Sequence, residues 1–175
     1  MSHIDQISGE LAALTAGVER ARGQAAAVDK QAQEIALRAA GAGFAAVAAG
    51  MTRVRDAVQQ IQGRLGALGN TVGEAARATA AVPQGGSPQD TIDGLTPVRS
   101  AVDEARDAAA GIGAEVGQAQ QLVTVVLQGG QPGPMLSALD NIKQIMAQLV
   151  QRAVTARQHA DAAVAEARQL GSAGN

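Results

Sequence analysis

Residues 51–72 read MTRVRDAVQQIQGRLGALGNTV. Within them Met51, Val54, Val58, Ile61, Leu65, Leu68 and Val72 recur at alternating steps of three and four. That rhythm marks one apolar stripe along a helix in a coiled-coil-like bundle, whereas steps of two would mark a strand. The stripe extends back through Val47 to Phe44 and forward through Ala75 and Thr79 to Val82. Working outward, the chain repeats the rhythm three more times. An upstream seam runs Ile4, Ile7, Leu11, Leu14, Val18, Ala21, Ala25, Val28, Ala32 and Ile35. Downstream come Leu95, Val98, Val102, Ala105, Ala109, Ile112, Val116, Ala119, Val123 and Val126. The last seam is Met135, Leu139, Ile142, Met146, Leu149, Ala153, Ala156, Ala160, Ala163, Ala167 and Leu170. Of these 43 positions only Thr79 is polar.

The seams are separated by breakers. Gly41 to Gly43 supply a left-handed helix end, and Pro83-Gln84-Gly85-Gly86-Ser87-Pro88 and Gln128 to Pro134 interrupt any regular element. Ser2 with Asp5 forms an N-cap pattern. Ser87 before Pro88 caps a short preliminary turn, and Thr96 before Pro97 repeats the signal, so the third long helix is expected to start near Pro97. The fold expected is all-α: four long antiparallel helices of about 30–38 residues, as two similar hairpins in a four-helix bundle. The boundaries expected are hairpin 1 at residues 1–82, a Pro/Gly linker with a short turn at 83–96, hairpin 2 at 97–171 and a disordered tail at 172–175.

The hairpins also resemble each other. Adding 88 carries Met51, Val54, Val58 and Ile61 onto Leu139, Ile142, Met146 and Leu149, and adding 91 carries Leu11 to Ile35 onto Val102 to Val126. His3-Ile4-Asp5-Gln6-Ile7 echoes Thr91-Ile92-Asp93-Gly94-Leu95. One reading is a duplicated hairpin with about three residues added near Pro97; the other is that any two heptad helices align.

Composition narrows the function. Hydrophobic residues make up 46% of the 175, yet alanine carries that figure, Phe44 is the one aromatic residue, and there is no Trp, Tyr or Cys. Bulky residues cluster at Val54 to Leu68 and Leu139 to Leu149, and stability is expected to concentrate there, with alanine-rich ends that fray or need a partner. Without cysteine there is no disulfide framework or thiol chemistry. Net charge is −2 with no run of like charge, and the arginines (Arg53, Arg55, Arg64, Arg77, Arg152, Arg157 and Arg168) interleave with Gln and Asp as on a solvated face. Nucleic-acid binding would call for basic clustering and stacking aromatics. There is no signal-peptide pattern and no window apolar enough to span a membrane, so a cytoplasmic location is expected.

Chemistry-bearing motifs give way to turns. Gly41-Ala42-Gly43-Phe44-Ala45-Ala46 fits a dinucleotide-binding fingerprint formally, but that chemistry needs a preceding strand and here a long helix precedes. The histidines are His3 and His159; His159 flanks seam residue Ala160, no Glu-x-x-His pair occurs, and a solvated flank is the reading. No nucleophile pairs with a base, so no catalytic, cofactor-binding or metal residue is assigned and no enzyme is expected. The residues singled out are glycines. Gly66, Gly69 and Gly73 share one stripe of the second helix, and Gly113 and Gly117 one stripe of the third, each costing about 1 kcal/mol relative to alanine. Either they form a second close-packing face, for the other hairpin or another subunit, or they are drift in an Ala/Gly-rich chain.

The Ala/Gln/Arg/Gly-rich usage and the connector Leu127-Gln128-Gly129-Gly130-Gln131-Pro132-Gly133-Pro134 resemble small helical proteins of actinobacteria, some encoded near natural-product gene clusters. That resemblance implies no activity. Phasins, which coat granules, are similar in alanine-rich amphipathic character. Helical proteins exported by the type VII route use Trp and Tyr signals that this chain lacks. The function expected is a non-catalytic helical interaction or scaffold module, self-associating or docking another helical protein. The alternatives are an amphipathic coat for a lipid or polymer surface, or a sequestering protein for a hydrophobic metabolite.

Overall fold

The computed structural model describes residues 2–173. Four helices follow one another: α1 (His3–Gly41), α2 (Ala45–Ala80), α3 (Pro88–Val126) and α4 (Gly133–Ala173). Connectors of a few residues force each helix to run antiparallel to the one before it, and the four pack as a bundle without any strand among the described residues.

The ends of the helices follow from local chemistry. At the start of α1, Ser2 Oγ accepts the Asp5 N–H (3.2 Å) while Asp5 Oδ2 accepts from the Ser2 backbone N–H (3.1 Å) and hydroxyl (2.8 Å). Ser87 and Asp90 repeat this reciprocal cap at α3, with 3.1, 2.9 and 2.7 Å for the same three bonds. Both carboxyls are held below the usual range, because these serine hydroxyl and backbone bonds favour the charged form. α1 ends in a Schellman arrangement: Phe44 N–H reaches Ala39 O (2.8 Å), Gly43 N–H reaches Ala40 O (3.2 Å), and Gly43 takes φ +83°. Gly85 (φ +83°) and Gly129 (φ +90°) serve the other two connectors.

The core is the seam. All but six of its 43 positions are buried, and the exceptions, Ile4, Ile35, Phe44, Val47, Val126 and Leu170, lie near helix ends. Thr79 is buried too, its hydroxyl donating to Ala75 O at 2.8 Å.

Packing divides the chain into two compact units that do not follow the hairpin boundary: residues 1–17, 68–109 and 148–175 form one, and 18–67 with 110–147 the other. Each draws on all four helices, and each matches small side chains with large ones. In unit 1 the alanines of α4 from Ala153 to Ala167 lie in the same core as Ile7, Leu11, Leu14 and Leu95. In unit 2 Ala21, Ala25 and Ala32 of α1 share a core with Met51, Ile61, Leu139 and Ile142. The alanine stretches thus find their partners within the chain, which is how interiors without voids are filled.

Three expectations are corrected. α3 begins at Pro88 and runs through Pro97; Pro97 is exposed, so the Asp93 carbonyl that loses its helical bond faces solvent. Phe44 is not a core residue: it follows the left-handed Gly43, precedes α2, and is 63% exposed. Ser172 and Ala173 continue α4 rather than forming a tail, while residues 174 and 175 of the expected tail lie outside the described residues.

The register of the hairpins also shifts. The two reciprocal caps, Ser2 with Asp5 and Ser87 with Asp90, stand 85 residues apart, one residue off the offset of 84 that carries Leu11 onto Leu95 along the seam. α2 and α4 begin 88 apart. The connector between α3 and α4, residues 127–132, is three residues longer than that between α1 and α2, residues 42–44. Seam spacing alone cannot choose between 84 and 91, because the two differ by one heptad.

Candidate functional site

The glycine stripes come first. A Cβ at Gly66 or Gly117 would meet nothing within 4 Å; at Gly73 it would meet only Arg77 Nη2 (3.9 Å), and at Gly113 the Met146 Cβ at an ordinary 3.7 Å. Gly69 is half-buried. Gly66, Gly73, Gly113 and Gly117 thus do not mark unusually close contacts between the helices of this chain. That role belongs to Gly17 and Gly50, both buried: a Cβ there would meet Leu149 Cδ2 at 2.5 Å and the two Val126 methyls at 2.5 and 2.7 Å. Both lie next to a seam position, Val18 and Met51, so the signal was neighbourhood to the core rather than glycine spacing.

Several arginines do more than solvate a face. In unit 2 Arg55 pairs with Asp29 (3.1 Å) across α1 and α2, and Arg64 pairs with Glu115 across α2 and α3. In unit 1 Arg152 reaches Glu10 (3.1 Å) from α4 to α1, and Arg157 joins Asp103 on α3 while also bonding Asp161. Arg99 Nε lies 2.8 Å from Asp161 Oδ1 without hydrogen-bond alignment, an ion pair only. Partly exposed pairs of this kind contribute at most about 1 kcal/mol each; they join neighbouring helices within each unit.

The surface that stands apart belongs to unit 2, where α1 turns into α2 and α3 passes into α4. Residues 39–52 and 116–139 carry no charged side chain. At the chain's 17% charged content, those 38 residues would hold about six. The turn leaves Phe44 exposed (63%), and Leu37 (68%) and Val125 (69%) are exposed on the ends of α1 and α3. Leu170 is the other large apolar side chain exposed among the described residues. A cleft of about 510 Å³ is lined by Phe44, Ala42, Arg38 and Leu127, beside a smaller one of about 220 Å³ bordered by Glu34, Arg38 and Pro134. Arg38 and Glu34, one turn apart on α1, are the charges next to this patch. Exposed apolar side chains gathered at one end of a unit, with few charges among them, are a mark of a docking surface.

In unit 1 the two histidines come together: the His3 and His159 ring centroids are 6.0 Å apart. Among the described residues no group of three or more His, Asp or Glu side chains has the spacing of a preformed metal centre, and no helix is long and apolar enough to cross a membrane.

Residues 86–172, just short of half the chain, match a family of unknown function, DUF6244. The match opens beside the Ser87 cap and spans α3, its connector and most of α4. No curated protein and no solved structure matches the chain.

Proposed function

We propose that this is a non-catalytic helical interaction module that associates with a second copy of itself through the uncharged end of unit 2. The observation that carries the reading is the convergence there of two charge-free stretches with exposed Leu37, Phe44 and Val125. Water gains from covering such a surface, and a second copy meets it without charge repulsion. A twofold contact that set Arg38 of one copy against Glu34 of the other would repeat the pair in reverse, so the two rim charges would complement each other. The patch is small, and an interface under about 1,200 Å² in total supports transient rather than permanent association. A coat that opens its hairpins is disfavoured, because the apolar seams it would lay down are already buried against each other.

The test is weight-average mass by light scattering with refractive-index detection, from micromolar to millimolar protein. Mass is expected to climb above the 17.5 kDa of one chain as concentration rises. Phe44→Asp and Val125→Asp should hold the protein at one chain, whereas Leu170→Asp should not. Arg38→Glu should weaken association, and adding Glu34→Arg should restore it. A mass that stays at 17.5 kDa throughout, or association indifferent to Phe44→Asp, overturns the reading.

A further inference from the structure

The seam of α1 is buried along most of its length, yet Ile35 near its end stays half-buried. The cleft of about 510 Å³ lies against it, between the end of α1, the α1–α2 turn and the α3–α4 connector. Its walls are Ile35, Ala39, Ala42, Phe44 and Leu127, with Gln131 and one charged residue, Arg38. Arg38 Nε reaches its own helix, at the Glu34 carbonyl (3.5 Å). Among the described residues its guanidinium enters no ion pair, in contrast to those of Arg55, Arg64, Arg152 and Arg157. We propose that this cleft binds a small amphipathic carboxylate, such as a medium-chain fatty acid. Its acid group pairs with Arg38, and its apolar tail lies against Ile35, Ala39, Phe44 and Leu127.

The walls select both halves of that ligand. A guanidinium presents its N–H groups as a planar fork that matches the two oxygens of a carboxylate. An apolar tail takes Phe44 and Leu127 out of water, which no side chain of the chain itself does. An amine of the same length would set like charge against Arg38, and an alcohol would gain from the tail alone. Glu34 borders the neighbouring smaller cleft but not this one, so the acid group meets no like charge among the walls. The volume falls within the range of about 300–1,000 Å³ usual for small-molecule sites. Arg38 is exposed, so water and salt screen the pairing and hold the site to weak, reversible binding. The cleft shares Phe44 and Arg38 with the proposed self-association surface, but the ligand site does not rest on that reading.

The experiment titrates octanoate, octanol and octylamine into the dilute full chain and follows backbone amide chemical shifts. Octanoate is expected to saturate with a Kd of about 1 mM or below, shifting Arg38, Ala39, Ala42, Phe44, Leu127 and Gln131. Octanol should bind the same residues more weakly, and octylamine weakest. Arg38→Gln should weaken octanoate about fivefold and leave octanol unchanged. Ala42→Glu, at an exposed position that leaves the fold intact, should weaken octanoate as well, whereas Leu170→Asp should not. No saturable shift with octanoate by about 10 mM, octylamine binding as tightly as octanoate, or indifference to Arg38→Gln overturns the proposal. Self-association is read without octanoate, from mass against protein concentration, so either reading can fail while the other stands.

Discussion

Replacing Gly50 by alanine sets two effects of known sign against each other. In the interior of an exposed helix that change stabilises by about 0.8–1 kcal/mol, because glycine has more backbone freedom to lose. Gly50, however, is buried, and the new Cβ would stand 2.5 and 2.7 Å from the two Val126 methyls and 3.2 Å from its Cβ. Rotating Val126 exchanges one methyl for the other but cannot remove its Cβ, and β-branching leaves few rotamers to choose from. Relief must come from the backbone at the end of α3, and overpacking of this kind costs about 1–3 kcal/mol. The net expectation is a loss of about 1 kcal/mol, seen as a melting temperature about 2–4 °C lower by far-ultraviolet circular dichroism. Gly66→Ala supplies the reference, since nothing lies within 4 Å of its Cβ; it should gain about 0.5–1 kcal/mol. Gly17→Ala should fall between them, because the clashing Leu149 Cδ2 is the tip of a side chain whose Cγ stays 3.5 Å away. Should Gly50→Ala melt as high as Gly66→Ala, the close approach of α2 and α3 at Val126 is wrong.

Ile61→Asp and Leu149→Asp each place an unpaired charge at a position no more than 2% exposed, and both should unfold the chain or cost more than about 4 kcal/mol in urea denaturation. Thr79→Val should be near neutral, within about 0.5 kcal/mol, because the hydroxyl it deletes only adds a second bond to an Ala75 carbonyl on the same helix. The two caps predict a pH dependence. Asp5 and Asp90 titrate lower in the folded chain than unfolded, so their stabilisation is complete above the ordinary carboxylate value of about 3.9 and disappears as pH falls through the lowered native values. The stability difference between the parent and an Asp5→Asn, Asp90→Asn variant should accordingly be constant near neutrality and shrink in acid; a difference independent of pH would count against the reciprocal caps.

The core was legible because a helix that buries one stripe has little freedom in where apolar residues fall: Met51 to Val72 announce their face whatever surrounds them. What the rhythm could not carry is anything that repeats with it. A seam shifted by seven residues still matches itself, so spacing leaves the register of α3 on α1 ambiguous, and the equivalent Ser2–Asp5 and Ser87–Asp90 caps, 85 residues apart, were visible only as local patterns. Pro97 misled for a related reason. A proline inside a helix loses one hydrogen bond and crowds the carbonyl four residues back, a cost eased where that carbonyl reaches water, and the exposure of position 97 is a property of the bundle rather than of its neighbours in sequence. Phe44 was placed in the seam by spacing alone, although Gly43 before it already marked a left-handed turn.

The candidate surfaces were hidden by distance along the chain. Residues 39–52 and 116–139 are each visible as charge-free windows, but a charge-free window by itself is only a helix end rich in alanine or a Gly/Pro connector. What makes them a surface is the return of the chain: the α1–α2 turn and the α3–α4 connector border one cleft, through Phe44 and Leu127, so two short deficits of charge add into one uncharged end. His3 and His159 follow the same logic. Each read alone is a solvated flank, and only the antiparallel course of α4 along α1 in unit 1, marked also by Glu10 with Arg152 and Gly17 beside Leu149, brings the first turn of one helix to the closing turns of the other. In a chain whose core is this regular, function is to be sought where the regularity lapses, in charges that are missing from an end.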